Sequence, residues 1–204
     1  MKRYAMEFVG TFFLAVAITL TGNPIAIGLM LMAMIYVGGH VSGAHFNPAI
    51  SFACFIQNKL NLIDMGLYVA AQSCGALLAV CFFAMITNNS YALEMVPGNY
   101  VSGPLSIEAL FALVLCWVYL VMNYDNYYNG GVHAGIIIGL TLMGIAFVGS
   151  LFNPAIAIAS IGYTFFKDGV CGEVGTMVVY IVGPLLGAVG ASFLFGCFKR
   201  DAII

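Results

Sequence analysis

The sequence predicts an all-α integral membrane protein: six membrane-spanning helices and two half-length helices, built as two copies of one unit that enter the bilayer from opposite sides. Three observations predict it. Only 7% of the 204 residues are charged and 63% are apolar, against about 25% and 45–50% in a soluble domain. The apolar residues gather into segments of a length that crosses a bilayer, which takes about 20 helical residues. Two short segments open on the same tetrapeptide, Phe46-Asn47-Pro48-Ala49 and Phe152-Asn153-Pro154-Ala155.

The composition excludes several function classes. Fourteen charged side chains do not cover a water-soluble globule of this size. Six Lys and Arg with a net charge of −2 leave no basic patch for nucleic acid. The six cysteines are scattered without a Cys-x-x-Cys pair, so no disulfide framework or metal site is expected. Five of them fall in apolar stretches as small hydrophobes; Cys171 sits near a loop. No paired carboxylates, Ser/His/Asp set or metal-ligand cluster stands outside the spans, so neither an enzyme nor a cofactor is expected. His40 and His45 do not have a zinc spacing.

Taken in order, the spans fall at about 4–21, 25–41, 65–87, 104–122, 132–149 and 174–198. The first keeps Glu7 and lacks a small-residue cleavage site, so it reads as a span rather than a signal peptide. Thr21-Gly22-Asn23-Pro24 is the turn into the second. The two short segments, about 48–57 and 154–163, cover about half the bilayer core. Each starts as a helix should, with Asn at the cap and Pro in the first turn.

The repetition extends beyond the tetrapeptide. Glu108 follows Glu7 by 101 positions and Asn153 follows Asn47 by 106. Pro184-x-x-Gly187-Ala188 follows Gln72-x-x-Gly75-Ala76 by 112. Same order and slowly growing offset indicate one domain over 1–204, with repeats at about 1–100 and 101–204. Three spans per unit is odd, so the units are inverted, a design that puts the site at the midplane. With both termini cytoplasmic, Lys2, Arg3, Lys59, Lys199 and Arg200 lie inside and only Lys167 outside, as the positive-inside rule requires.

Two half-helices starting at the midplane bring their unpaired N–H groups and positive dipole ends together. These repel cations, while the Asn47 and Asn153 amides can donate to a neutral solute. Non-helical backbone at 43–46 and 149–152 would be costly in lipid and is tolerated where its carbonyls line a water-filled path. The pattern therefore suits water or a small polyol and is poor for ions.

These residues resemble the aquaporin, or major intrinsic protein, family. Gly39-His40-Val41-Ser42-Gly43-Ala44-His45-Phe46-Asn47-Pro48-Ala49 is close to its first signature, and Glu7-Phe8-Val9-Gly10-Thr11-Phe12 resembles its first-helix motif. The resemblance covers essentially the whole chain. It implies a right-handed bundle of six tilted helices plus two half-helices, one pore per protomer and a homotetramer. It also implies that Glu7 and Glu108 accept hydrogen bonds from pore-loop N–H groups, and that His45 fixes its loop.

The chain departs from the family pattern at the outer constriction. The place of the usual Arg is Ile156, the second-helix position is Ile27, and the position before the second motif is Ser150. The fifth-helix position is Ala146, with Thr141 as the ungapped alternative. The expected ring of Ile27, Ala146, Ser150 and Ile156 carries no charge. Loss of the Arg resembles the small intrinsic proteins of plant internal membranes, whereas glycerol channels carry Arg-Asp where Ile156-Ala157 stands. The expectation is a passive water channel of relaxed selectivity in a lipid bilayer, the plasma membrane rather than an internal one. The alternatives are a facilitator of glycerol, ammonia or hydrogen peroxide, and a non-conducting structural protein. Ile156→Arg is expected to tighten selectivity. Asn88-Asn89-Ser90 is a glycosylation sequon on the outer side, His133 reads as a solvated loop-end residue, and 124–131 as a connector.

Overall fold

A computed structural model of the chain describes residues 1–93, 101–128, 131–169 and 174–199. Cys171, Arg200 and part of the 124–131 connector lie outside the described residues. Among the described residues, eight helical elements follow one another. They are α1 (Lys2–Thr21), α2 (Pro24–Ser42), α3 (Pro48–Ile56), α4 (Leu62–Thr87), α5 (Ser102–Tyr124), α6 (Ala134–Ala146) and α7 (Pro154–Asp168). The last, α8, runs over Val174–Phe198 and contains a π-helical turn at Val178–Val182.

Local chemistry explains the boundaries. Gly22 ends α1 at φ 54, and Asn23 caps α2 by accepting from the Ile25 and Ala26 N–H groups, with Pro24 in the first turn. Asn61 caps α4 through the Asp64 N–H at 2.9 Å, and Asn88 closes it at φ 56. The π turn has an identifiable cause. Pro184 has no N–H to give the Tyr180 carbonyl, and the Gly183 N–H is shared between the carbonyls of Val178 and Val179.

Two expected boundaries move. The fifth span, expected over 132–149, is the 13-residue α6, about 20 Å long. Val132, Phe147 and Val148 are apolar but sit outside the helix. Gly149 at φ 82 turns the chain away, so hydrophobicity overruns the helix. The second half-helix is longer than expected: α7 continues through Tyr163 to Asp168 and stops at Gly169, φ 69. Among the described residues, five helices are long and apolar enough to span a membrane, and α6 is a shorter apolar helix.

Helix pairs α1–α4, α5–α8 and α2–α6 are the most closely packed, and glycines bring them together as small residues do in membranes. A Cβ on Gly75 of α4 would lie 2.3 Å from the Phe8 carbonyl oxygen of α1. A Cβ on Gly187 of α8 would lie 2.4 Å from that of Ala109 on α5. Gly28 and Gly139 face each other's backbones, with added Cβ atoms 2.7 and 2.8 Å from the opposite carbonyl oxygens. Large apolar side chains such as Val37, Leu110 and Phe193 point outward, more than half exposed, as a chain solvated by lipid requires.

Candidate functional site: the meeting point of two half-helices

The N-termini of α3 and α7 meet inside the bundle. Asn47 caps α3 by accepting the Ala49 N–H at 2.8 Å, and Asn153 caps α7 by accepting the Ala155 N–H at 3.1 Å. Each amide nitrogen then crosses to the other loop. Asn47 Nδ2 donates to the Phe152 carbonyl at 2.8 Å, and Asn153 Nδ2 donates to the Phe46 carbonyl at 3.0 Å. An amide NH₂ has two protons, so each Asn keeps a second donor. Pro48, Ala49, Pro154 and Ala155 form the first turns behind them and are buried.

The loops that deliver these caps are strained in matching ways. Gly43 and Gly149 have φ 86 and 82, and Phe46 and Phe152 have φ 49 and 53. Phenylalanine seldom adopts positive φ, and such strain persists where the surroundings over-determine it. Both Phe side chains are fully buried. Gly10 leaves room for the Phe46 ring, which an added Cβ there would overlap. The Phe152 ring packs against Phe111 at 5.8 Å.

Two buried carboxylates hold the loop backbones. Glu7 accepts from the His45 N–H at 2.9 Å, the Phe46 N–H at 2.7 Å, the Ser42 hydroxyl at 2.6 Å and the Gln72 amide at 2.8 Å. Glu108 accepts from the Leu151 and Phe152 N–H groups, both at 2.8 Å, and from the Ser150 hydroxyl. His45 is 3.0 Å from the Ser51 hydroxyl through Nδ1 and meets the rings of Tyr68 and Tyr119 edge-on. Those two tyrosines donate to the Ser42 and Gly43 carbonyls at 2.8 and 2.7 Å. Ser42, Ser51, Tyr68 and Tyr119 were not singled out from the sequence. In the sequence Gln72 stands out only as a repeat match; its pairing with Glu7 has no sequence signal, because 65 positions separate them.

A cavity of about 10 Å³ lies beside the two caps, lined by Asn47, Asn153 and His45 and by the apolar Leu14, Leu31 and Leu142 among others. That is about the space one water needs. A larger cavity of about 200 Å³ opens toward the α1–α2 turn; Ile27, Ala146 and Ser150 line it, together with Tyr91 and Tyr180. Ile156 does not line it. Its side chain is fully buried in a cluster with Ala15, Ala76, Ala79 and Val80. The physical reason is helical phase: the third position of α7 turns toward α1 and α4. Thr141 donates to its own helix at the Ile137 carbonyl, and Ala146 is the α6 residue at the cavity.

Two capped half-helices meeting inside a bundle of apolar spans, with a small cavity beside the caps, have the architecture of a membrane channel. The family model for Major intrinsic protein matches residues 1–195, and the chain belongs to that family. Nodulin-26 of Glycine max is 30% identical, with 98% of this chain and 78% of that protein aligned. Glycerol uptake facilitator protein-like 6 of Lactiplantibacillus plantarum is 30% identical over 95% of this chain and 96% of that protein. The X-ray structure of the aquaglyceroporin from Plasmodium falciparum superposes with a TM-score of 0.79 at 22% identity, covering 95% and 94% of the two chains. The chain is thus a multi-pass membrane protein with the aquaporin-like bundle, a channel for water or small solutes rather than an enzyme.

Proposed function

We propose that the chain conducts water and small neutral solutes passively, along a path that passes Asn47 and Asn153 and leaves through an outer mouth without charge. The observation that carries the reading is the crossed pair of amide bonds between the two half-helix caps. It fixes two donors and two helix N-termini at one point, where a neutral oxygen gains hydrogen bonds and a cation meets two positive dipole ends. Glu7, Glu108 and His45 hold the loops in this reading. Ile27, Ala146 and Ser150 form the outer mouth, and cation exclusion rests on the Asn pair rather than on an arginine. The two repeats are inverted halves of one domain. Both termini are cytoplasmic in this reading, the membrane is the plasma membrane and the assembly is a homotetramer.

In this reading the space of about 10 Å³ beside the caps is the narrower point that selects among solutes, and the outer mouth has room for a solute larger than water, at about 200 Å³. The similarity to a protein named a glycerol uptake facilitator points the same way. Stopped-flow light scattering of proteoliposomes against sucrose, glycerol and urea gradients tests the proposal. Permeability no greater than that of empty liposomes for all three would sink it.

A further inference from the structure

The segment that leaves α4 becomes part of the wall of the outer cavity. Asn88 ends α4 at φ 56, and Tyr91, Ala92 and Leu93 line the cavity. Among the described residues, the backbone of Ser90–Leu93 makes no hydrogen bond to other backbone. Its hold comes from α7 instead. Ile156, Ser160, Tyr163 and Lys167 follow one another at intervals of four, three and four residues, which stacks them on one side of a helix. The Lys167 ammonium donates to the Ser90 hydroxyl at 2.7 Å, and the buried Ser160 hydroxyl donates to the Tyr91 carbonyl at 2.9 Å. The Tyr91 side chain packs, as Tyr163 does, against the apolar cluster that holds Ile156, and it meets the Phe83 ring edge-on at 5.8 Å. The Lys167 bond is exposed to solvent. A segment held by a few side chains and no backbone ladder opens at low cost.

We propose that Asn88–Leu93 is a strap that covers the outer mouth while it lies on α7, and that lifting it from Ser160 and Lys167 admits solute. The proposal rests on the conducting reading above. Selection stays at the caps, so the strap sets how often the mouth is open and not which solute passes. Opening therefore scales the flux of every permeant by one common factor.

Reconstituted full-length protein, wild type and variants, is compared for water and glycerol permeability by stopped-flow light scattering. Lys167→Met removes the exposed hydrogen bond and is expected to raise both permeabilities together, by about two- to tenfold, the range that one net hydrogen bond commands. Lys167→Arg keeps a donor for Ser90 and should stay at the wild-type rates. Phe193→Ala, on the outward face of α8, should do the same. A thiol under the strap reports lifting without conduction. Ser160→Cys should be labelled by a membrane-impermeant maleimide, read on its own peptide by mass spectrometry, and faster by a similar factor when Lys167→Met is added. Conduction by the wild type with both permeabilities unchanged in Lys167→Met, with their ratio changed, or with equal labelling rates would overturn the strap alone. A wild-type protein that passes neither water nor glycerol would overturn the conducting reading and the strap together.

Discussion

Asn47 and Asn153 are joined through each other's loops: each donates its side-chain amide to the carbonyl of the phenylalanine that precedes the other. The same side chains cap the helices they open. One residue type therefore performs three tasks at each position. Its oxygen caps the start of a helix, one amide proton ties the two half-helices together, and in the proposed conducting reading the second proton serves the passing solute.

That division predicts a separation of effects. Asn153→Asp keeps the capping oxygen and loses the amide donor, leaving the buried Phe46 carbonyl without its partner. The expected cost is about 1–3 kcal/mol, read as a lower unfolding midpoint in detergent, together with reduced water permeability. Asn153→Ala loses the cap as well, for about 1 kcal/mol more. Equal midpoints for the two variants would contradict the capping role.

The two carboxylates are not equivalent. Glu7 accepts from four donors and Glu108 from three, because Pro184 stands where the first repeat has Gln72. Replacing either with Gln puts an NH₂ against N–H donors. Glu7→Gln should be the more damaging, by about 2–3 kcal/mol for the lost charge-assisted bonds. Chemical denaturation of the two variants in the same detergent checks the order, and a larger loss at Glu108 would refute it.

Helix contact at glycine gives a third prediction. Gly75→Ala and Gly187→Ala each drive a methyl into a facing backbone carbonyl, and neither backbone can yield as a flexible side chain would. Both should lower the thermal midpoint, as overpacking by about 1–3 kcal/mol does. Gly162→Ala in α7 meets nothing within 4 Å and should raise stability by about 0.5–1 kcal/mol. A thermal scan of the three variants separates these directions.

Ile156 changes meaning between sequence and structure. From the sequence, Ile156→Arg is expected to tighten selectivity. With Ile156 fully buried among Ala15, Ala76 and Val80, the substitution instead places an unpaired charge in an apolar cluster, which is strongly unfavourable. The expected outcome is loss of folded protein on size-exclusion chromatography. A well-folded Ile156→Arg protein with narrowed selectivity would restore the sequence expectation.

The repeated caps were legible in the sequence because Asn-Pro-Ala encodes a helix start locally, and two copies on half-length segments mark where two ends converge. The spans were legible because lipid demands apolar length. What escaped was non-local or a matter of phase. Hydropathy placed the end of the fifth span at 149, whereas the left-handed glycine that turns the chain there leaves α6 ending at Ala146. The pairing of Gln72 with Glu7 joins residues on different helices. The exchange of Ile156 for Tyr180 at the outer cavity depends on the rotation of α7 and on a π turn that a lone Pro184 does not announce.

The most direct test of the account is the osmotic water permeability of proteoliposomes holding the wild-type chain, measured by stopped flow against an impermeant sucrose gradient beside empty liposomes and the Asn153→Asp variant. Wild-type liposomes are expected to shrink much faster than empty ones, and those holding the variant more slowly than wild type at equal protein content. Wild-type liposomes that shrink no faster than empty ones would contradict it.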